Sequence, residues 1–464
     1  MDWLNKKVLV LGLGETGLSM VRWLNAQGAQ LRVADSRNVP AGLATLRQQF
    51  PEVEAQCGIF RSELLDGIEC VAISPGIAVA EPLVQRALER KIPVIGDIEI
   101  LALDIAKNPT PIPTKVIAIT GANGKTTVTS MVGAMCRAAG LDTEVAGNIS
   151  PAVLDVLLAR DGRHPDVWVL ELSSFQLETT YTLSADAATV LNISEDHLDR
   201  YADMDEYIAA KARIFRSSNG QHGVQVLNRD DVASAGMALL QRLKVTFGLQ
   251  SPAASADDWG TLYEAGEIWL AQGWQKVMKA SELQLAGQHN VANALAALAL
   301  CRAVGLPQRP LLAALREFKG LPHRVEKVAE IGGVTFYDDS KGTNVGATVA
   351  ALQGLGCKSV LLAGGDGKGQ DFAPLHPAVA AHARAVVLFG RDAPLIEAAL
   401  QDCGVPVFRA ADLPEAVKLA AAEAQAGDAV LLSPACASFD MFRNYVQRAS
   451  VFVDAVRALP QETQ

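Results

Sequence analysis

Short apolar runs recur along the whole chain, and each is followed by glycine or polar residues and then by a helix-like stretch. Val116–Ile119 is one such run; Gly121–Gly124 follows it as a turn, and a helix begins at Lys125. Strands that alternate with helices in this way predict parallel sheets with helices on both faces. Functional loops of such sheets lie at the carboxyl ends of the strands. We therefore predict an α/β protein whose chemistry lies in the segments after its strands.

The first unit has the pattern of a nucleotide-binding βαβ unit. The strand Lys7–Leu13 runs into a G-x-G-x-x-G pattern that starts at Gly12, and the next strand, Gln30–Ala34, ends on Asp35, where a ribose-binding acid lies in such units. The pattern does not say which nucleotide binds, and glycines that serve packing alone are the alternative interpretation. A proline-rich linker at Asn108–Thr114 limits this unit to about a hundred residues.

A glycine loop between a strand and a helix indicates a phosphate-binding loop in the central part of the chain. The sequence G-x-x-G-K-T-T at 121–127 is a short variant of the general G-x-x-x-x-G-K-[ST] pattern, which has glycine where this chain has Ile119. Its backbone N–H groups suit phosphate, Lys125 can reach the β- and γ-phosphates, and a hydroxyl of Thr126 or Thr127 can hold Mg²⁺. The alternative is an ordinary strand–turn–helix with a solvated lysine.

Three residues of the central segment carry further candidate chemistry. Glu171 ends the buried-type strand Asp166–Glu171, where P-loop enzymes often place a Mg²⁺ ligand, although a helix or loop cap is the other interpretation. His197 is a metal ligand, a base or, as the pattern alone favours, a packed or exposed loop histidine. Lys211 lies on the apolar stripe of the predicted helix Met204–Arg216, so its ammonium either snorkels to water or is functional.

Beyond about residue 320 the pattern again alternates strands and helices. Polar loops follow the strands at 338–344 (DDSKGTN), 364–372 (GGDGKGQDF) and 434–440 (PACASFD). These loops contain the candidate polar residues Asp339, Lys341, Asp366, Lys368 and Ser438. Lone residues of these types are usually solvated surface, but their shared position after strands favours a binding site.

Composition narrows the class of protein. Half of the 464 residues are hydrophobic and 20% are charged, as in a globular enzyme of several domains. The formal net charge of −10 argues against a nucleic-acid partner. Seven scattered cysteines without a C-x-x-C pattern fit a reducing cytosol. The N-terminus lacks the pattern of a signal peptide, and no apolar stretch approaches the length of a membrane span, so we expect a cytoplasmic protein without membrane insertion.

Two other function classes stay open on the residues alone. A nicotinamide-dependent oxidoreductase would explain the first glycine pattern but leaves the phosphate-binding loop and Glu171 without a role. A P-loop switch or transport ATPase would explain that loop but leaves the polar loops at 338–344 and 364–372 idle.

Several motifs in one order carry a resemblance to a known family. They are GANGKTT, ELSSFQLE, NISEDHLDRY, AAKARIF, GQHNVANALAAL, LPHRVE, DDSKGTN, GGDGKGQDF and SPACASFDMF. Together they resemble the Mur ligase family, whose members are ATP-dependent amino-acid ligases of peptidoglycan precursor synthesis. VLGLGETGLS and SPGI near the N-terminus, with SPACASFD near the C-terminus, resemble in particular the members that add D-glutamate.

The resemblance implies three domains. They are a Rossmann-like UDP-binding domain at 1–100, a central P-loop ATPase-like domain at 101–320 and a Rossmann-like, amino-acid-binding domain with a parallel sheet at 321–464. It implies ATP and two Mg²⁺ ions but no NAD. The expected substrates are UDP-N-acetylmuramoyl-L-alanine and D-glutamate, and the expected state is a monomer.

The resemblance also assigns residues to sites. The UDP substrate would be bound by Thr16, Asp35, Ser36, Arg37, Ser74, Gly76 and Asn148. ATP would be bound by Gly121, Asn123, Gly124, Lys125, Thr126, Thr127, Asn290, Arg324 and Asp339. D-Glutamate would be bound by Lys341, Thr343, Lys368 and Ser438, flanked by Phe439 and Tyr445. Glu15 stands where an apolar residue is expected, and the resemblance leaves its role open.

Metal ligation and catalysis are assigned in the same way. The metal ligands would be Thr126, Glu171, His197 and Lys211, and the catalytic residues would be Lys125, Glu171, His197 and Lys211. The family's matching lysine is carbamylated, which implies that Lys211 adds CO₂ and becomes an anionic carbamate. Burial lowers the pKa of a lysine and so yields the neutral amine that CO₂ needs.

Overall fold

The computed structural model describes residues 1–110, 112–196, 200–217, 223–252, 255–285 and 287–460. His197 lies outside the described residues. Within them, three large sheets follow one another along the chain, and a small antiparallel sheet accompanies the second. The predicted α/β fold is confirmed.

Five parallel strands form the N-terminal sheet. They are β1 (Lys7–Leu11), β2 (Gln30–Asp35), β3 (Glu54–Cys57), β4 (Cys70–Ile73) and β5 (Val94–Ile95). The helices are α1 (Glu15–Ala26), α2 (Leu43–Gln49), α3 (Pro82–Glu89) and α4 (Asp97–Lys107), with a 3₁₀ turn at Ser62–Leu65. The strand order β3-β2-β1-β4-β5 reverses at β1, so the loops after β1 and β4 meet where such sheets bind ligands.

Six parallel strands form the central sheet. They are β6 (Lys115–Thr120), β7 (Thr143–Gly147), β8 (Val167–Glu171), β9 (Ala187–Val190), β10 (Val224–Asn228) and β11 (Lys244–Phe247). The helices of this part are α5 (Lys125–Ala138), α6 (Val153–Ala159), α7 (Ser174–Glu178), α8 (Met204–Ala212), α9 (Val232–Gly236), α10 (Gln288–Ala303) and α11 (Gln308–Glu317). In the order β11-β10-β9-β6-β8-β7, β6 lies between β8 and β9, so the loops after these three strands share one edge.

Six strands form the C-terminal sheet. They are β15 (Glu326–Ile331), β16 (Val334–Asp338), β17 (Ser359–Gly364), β18 (Ala383–Phe389), β19 (Val407–Arg409) and β20 (Ala429–Leu432). Their order in the sheet is β15-β16-β20-β17-β18-β19. The helices are α12 (Val345–Gly354), α13 (Leu375–His382), α14 (Ala393–Ala399), α15 (Leu413–Glu423) and α16 (Tyr445–Arg457).

The C-terminal sheet differs from the expected parallel sheet at one edge. The edge strand β15 pairs antiparallel with β16, while the other strands pair parallel. Only Gly332 and Gly333 separate the paired residues Ile331 and Val334, and both glycines have positive φ, at 57° and 75°. A two-residue turn with positive φ at both positions makes a hairpin, which forces antiparallel pairing.

The small antiparallel sheet was not predicted. Its strands are β12 (Trp259–Glu264), β13 (Glu267–Gln272) and β14 (Gln275–Lys279), and a 3₁₀ turn at Ala280–Glu282 follows it. Trp259, Leu270 and Met278 are buried in one apolar cluster with residues of α10. β13 has a short apolar run at 268–271, but β12 and β14 carry only scattered apolar residues, so reading the chain strand by strand misses the sheet.

The predicted helix Met204–Arg216 is shorter in the structure. It consists of α8 and a 3₁₀ turn at Arg213–Phe215. Lys211 is in the last turn of α8, and Tyr207 and Ala210 are buried on the same helix.

In the part of the chain that the structure describes, one apolar cluster joins the first two sheets, and the third sheet has clusters of its own. One buried cluster runs from Val8 and Val10 in β1 to Ala118 in β6 and Leu170 in β8. The buried clusters of the C-terminal sheet contain residues of that part alone. Among the described residues, none of the helices is long and apolar enough to cross a membrane.

Candidate active site

The glycine loop after β6 is shaped by two glycines. Gly121 and Gly124 have φ of 149° and 80°, in the region that favours glycine. A Cβ on Gly124 would lie 2.6 Å from Asn293 Oδ1 on α10. Lys125 Nζ donates to the carbonyl oxygens of Gly121 and Ala122, at 2.8 Å each. The lysine predicted to bind phosphate therefore lies directly over the loop.

Polar side chains from the third part of the chain reach this loop. Arg324 donates to Thr126 Oγ1 at 2.6 Å, and Asn344 Nδ2 donates to Asn123 Oδ1 at 3.0 Å. Asn123 is also held by Asn192, which accepts from its backbone N–H at 2.8 Å. The C-terminal sheet is thus docked against the glycine loop through polar contacts.

Glu171 ends β8 beside the same loop, and its side chain is 2% exposed. Asn148 Nδ2 donates to Glu171 Oε1 at 2.9 Å. Glu171 Oε2 is buried and has no hydrogen-bond partner among the described atoms. A buried carboxylate oxygen is costly to leave unpaired, and it is a ligand type that Mg²⁺ prefers. The donor set at Glu171 therefore fits a divalent cation.

Lys211 is buried under the glycine loop at 2% exposure. Its Nζ donates to Gly121 O at 2.9 Å and lies 4.6 Å from the centre of the Tyr207 ring. Burial and then the neighbouring Lys125 ammonium lower the pKa of Lys211 well below its usual value, although Asp196 and Glu171 oppose the shift. Of the two interpretations of this lysine, snorkelling to water is wrong.

A first cavity of about 560 Å³ lies between the N-terminal and central sheets. It is lined by the predicted UDP residues Thr16, Asp35, Ser36, Arg37, Ser74, Gly76 and Asn148, together with Glu15 and Ser150. Asp35 accepts from the Leu13 backbone N–H at 2.7 Å and from the Arg37 guanidinium at 2.7 and 2.9 Å. Burial acts to raise the pKa of Asp35, but these hydrogen bonds outweigh it and hold the pKa below its usual value. Both carboxylate oxygens of Asp35 are thus already used within its own sheet.

A second cavity of about 340 Å³ lies between the central and C-terminal sheets. It is lined by the predicted ATP residues Asn123, Gly124, Thr127, Asn290, Arg324 and Asp339. Asp339 Oδ2 accepts from Ser433 Oγ at 2.7 Å. Burial raises the pKa of Asp339 to about 7, against the opposing effects of Ser433 and Arg324.

The predicted D-glutamate residues are only partly brought together. Lys341 Nζ lies 4.1 Å from the centre of the Tyr445 ring, whereas Lys368 Nζ lies 3.4 Å from Asp196 Oδ1 on the central part. Ser438 is 3% exposed and Phe439 is 72% exposed. Thr343 is partly buried in the loop between Lys341 and α12.

Three family models match successive parts of the chain. The "Mur ligase MurD-like, N-terminal domain" matches residues 6–96, the "Mur ligase middle domain" residues 119–301, and the "Mur ligase, glutamate ligase domain" residues 323–436. A curated relative, the UDP-N-acetylmuramoylalanine--D-glutamate ligase of Nitrosospira multiformis, is 58% identical over 99% of this chain and 97% of its own.

The chain belongs to the Mur ligase family.

Further comparisons agree with this. The UDP-N-acetylmuramoylalanine--D-glutamate ligase of Methylobacillus flagellatus is 59% identical, over 99% of this chain and 98% of its own. The crystal structure of MurF ligase from Thermotoga maritima in complex with ADP has a TM-score of 0.60 at 14% identity and covers 99% of this chain and 100% of its own. The structure of UDP-N-acetylmuramate-alanine ligase MurC from Thermotoga maritima has a TM-score of 0.59 at 19% identity and covers 97% and 99%. These two structures share the fold of this Mur ligase.

One buried residue beside the loops that carry Lys341 and Ser438 was missed by sequence reasoning. Arg448 on α16 is 0% exposed, and burial lowers its pKa to about 10. It donates to Ser340 Oγ at 3.0 Å, Ser340 O at 2.8 Å and Cys436 O at 3.0 Å. These acceptors belong to the loops that carry Lys341 and Ser438. The signal was present, because Arg448 shares the buried side of α16 with Ala449, Phe452 and Val456.

Cavity-lining asparagines of the Mur ligase were also missed. Asn192, Asn228 and Asn293 line the second cavity. No motif spacing connects them, because they come from two strand ends and one helix.

Proposed function

We propose that this protein is an ATP-dependent ligase that joins D-glutamate to the L-alanine carboxylate of UDP-N-acetylmuramoyl-L-alanine in peptidoglycan precursor synthesis, through an acyl phosphate. The observation that carries the proposal is the place of Glu171. It bonds Asn148, which lines the first cavity, and lies beside the glycine loop that lines the second. A substrate in the first cavity and ATP in the second would thus meet at one acidic, buried point. The relatives that are 58% and 59% identical carry the name of this activity.

The first cavity would take the UDP end of the substrate. The uncapped N-terminus of α1 and the Arg37 guanidinium offer donors and positive charge to a diphosphate. Thr16, Ser36 and Ser74 add hydroxyls, Gly76 completes the lining, and Asn148 would orient the far end of the substrate toward Glu171. Because Asp35 is held by Leu13 and Arg37, we assign it the shaping of this wall.

The second cavity would take ATP. Backbone N–H groups of the glycine loop and Lys125 would hold the phosphates, and Asn290, Arg324 and Asp339 would hold the nucleotide across the junction. Arg324 already reaches Thr126, so it would place a positive charge beside the transferred phosphoryl group. These groups position reactants and neutralise charge, so the proposed mechanism needs no covalent step through a nucleophilic side chain.

Glu171 and Thr126 would hold Mg²⁺, with His197 and a carbamylated Lys211 completing two metal sites. Bound Mg²⁺ would neutralise negative charge on the phosphoryl oxygens. The neutral amine that burial favours at Lys211 would add to CO₂ and lose one proton, which gives an anionic carbamate. That step replaces a buried cation by an anion that a cation can pair.

In the reaction, the L-alanine carboxylate would attack the γ-phosphate of ATP and release ADP. The amine of D-glutamate would then attack the acyl phosphate through a tetrahedral intermediate, and phosphate would leave. Lys341, Thr343, Lys368 and Ser438 would hold the D-glutamate carboxylates, with Phe439 and Tyr445 at the edge of the pocket. Since the proposed substrate sites lie on separate domains, we infer that the third domain closes on ATP before the chemistry.

ATP-dependent phosphate release with UDP-N-acetylmuramoyl-L-alanine, screened across amino acids and both enantiomers of glutamate, tests the proposal. We expect release that requires D-glutamate. Release without any amino acid would favour a P-loop ATPase, and release with a different amino acid would favour a neighbouring ligase of the family. A fluorescence titration with NADH tests the oxidoreductase alternative. We also propose that the enzyme acts in the cytoplasm. We propose that it is a monomer, and light scattering can measure its oligomeric state.

A further inference from the structure

Two walls of the first cavity come from different parts of the chain. One wall is the glycine turn and the start of α1; the other is the loop after β7, residues 147–150. Glu15, the first residue of α1, accepts a hydrogen bond from Ser150 Oγ at 2.5 Å. This bond spans the cavity between residues that are 135 positions apart in the sequence.

Both ends of this bond are anchored to rigid structure. On the first wall, a Cβ on Gly17 would lie 1.9 Å from Gly12 O, so the start of α1 rests directly on the glycine turn. On the second wall, a Cβ on Gly147 would lie 2.2 Å from Glu171 O. The Asn148 backbone N–H donates to that same oxygen at 2.7 Å. The loop that presents Ser150 is therefore fixed to the end of β8.

Asp35, the other carboxylate that lines the cavity, does not join the two walls. Asp35 bonds Leu13 and Arg37, both on its own wall. Glu15 instead joins its wall to the loop that carries Asn148, whose side chain bonds Glu171. The Glu15–Ser150 bond therefore joins the start of α1 directly to the loop that carries Asn148, while the apolar cluster and the Arg200 bonds to Pro75 O and Ile77 O hold the two parts together elsewhere.

We propose that the Glu15–Ser150 hydrogen bond is a positioning contact that sets the spacing between the start of α1 and the loop after β7, at the exposed rim of the nucleotide-sugar cavity, before the substrate binds. The proposal rests on the proposed function, because it takes a UDP-sugar as the occupant. A preformed cavity lowers the ordering cost of binding, so the contact acts on the affinity for the UDP substrate. It touches no reacting atom, so the rate of the bound complex should not depend on it.

The test compares four variants, Glu15→Leu, Glu15→Gln, Ser150→Ala and the double variant Glu15→Leu/Ser150→Ala, in the full-length protein. We expect Glu15→Leu and Ser150→Ala each to raise the KM for UDP-N-acetylmuramoyl-L-alanine about fivefold, as expected for one charge-assisted hydrogen bond at an exposed position. The double variant should be no worse than either single one, because both remove the same bond. Glu15→Gln keeps an acceptor and should restore most of the affinity. The value of kcat and the KM for ATP should not change.

Arg22→Met is the matched control. Arg22 also joins α1 to the central part, through Asp155 on α6 at 2.9 Å, but it does not line the cavity. It should leave the KM unchanged. An unchanged or lowered KM in Glu15→Leu would overturn the proposal, since a lowered value would mean that the Glu15 charge repels the diphosphate. Additive effects in the double variant would overturn it as well.

Calorimetric titration of the same variants with UDP separates this inference from the proposed function. If the wild type binds UDP but does not turn over, the proposed function fails and the contact is still tested by the change in UDP affinity. Equal UDP affinity in the wild type and in Ser150→Ala would refute the positioning contact even if the ligase activity is established.

Discussion

Replacement of the buried Arg448 by methionine should weaken the binding of D-glutamate strongly and change the stability of the fold only slightly. Burial lowers the pKa of this arginine from 12.5 to about 10, which corresponds to roughly 3 kcal/mol of unfavourable free energy for the charged group in the folded state. Its three hydrogen bonds, to Ser340 Oγ, Ser340 O and Cys436 O, return roughly 1 kcal/mol each. The two amounts nearly cancel, so the free energy of unfolding of the methionine variant should lie within about 2 kcal/mol of the wild-type value.

The effect on function should be larger, because Arg448 ties together two loops. One loop carries Lys341 and the other carries Ser438, both assigned to D-glutamate. Without the arginine the two loops keep the direct hydrogen bond from the Ala435 backbone N–H to Gly342 O at 3.1 Å, but Ser340 and Cys436 lose their three bonds to the guanidinium. We expect the KM for D-glutamate to rise about tenfold while the KM for ATP stays within about twofold, since the loss of one hydrogen bond to a charged carboxylate costs roughly 1.5 kcal/mol.

The assay is phosphate release at varied D-glutamate, with urea unfolding of the same samples. Arg457→Met is the control, because Arg457 lies on the same helix and is exposed. A wild-type KM for D-glutamate in Arg448→Met would refute the reasoning. So would a loss of stability well above 4 kcal/mol, because the balance of burial and hydrogen bonding would then be wrong.

Three further variants test the rest of the site. Lys211→Ala should nearly abolish phosphate release, and short carboxylic acids should partly restore it; normal activity would exclude the carbamate role. Gly354→Ala should lower kcat, because its Cβ would lie 2.7 Å from the His289 ring; small-angle scattering with an ATP analogue and substrate should show compaction for the wild type and less for this variant. Asp339→Asn should change the pH dependence of unfolding. Burial raises the pKa of Asp339 to about 7. The folded wild type therefore keeps this carboxyl protonated at pH values where the unfolded chain has lost the proton, and its stability falls as pH rises from about 4 to about 7. The asparagine variant should lack this loss, and equal urea-unfolding profiles for both proteins would contradict it.

Local sequence was enough to locate the parts of the site that depend on one strand and the loop after it. The glycine loop at 121–127 and Glu171 are in this class, because an apolar strand fixes where the following residues emerge. A charged residue on the apolar stripe of a helix indicates that the residue is buried, but it does not indicate which residues it contacts. Lys211 was recognised by this signal, whereas Arg448, with the same signal, was overlooked.

Contacts between distant parts of the chain were beyond sequence reasoning. The Glu15–Ser150 bond and the docking of Arg324 on Thr126 depend on how whole sheets pack against one another. The small sheet β12–β14 was missed for a related reason, because its strands are stabilised by packing on α10 and not by their own pattern. The exact domain limits at 100 and 320 remain predictions.

The two junctions of the molecule have opposite chemistry, and this difference decides which one can open. The first two sheets share one apolar cluster, so separating them would expose buried hydrocarbon to water. The third sheet has its own apolar clusters. It reaches the glycine loop through hydrogen bonds from Arg324 and Asn344, and it reaches the segment after β9 through the Lys368–Asp196 pair. Water can replace such polar contacts at little net cost in free energy. The first cavity should therefore keep its shape while the second opens and closes, so that the UDP substrate meets a preformed wall and ATP meets a movable one.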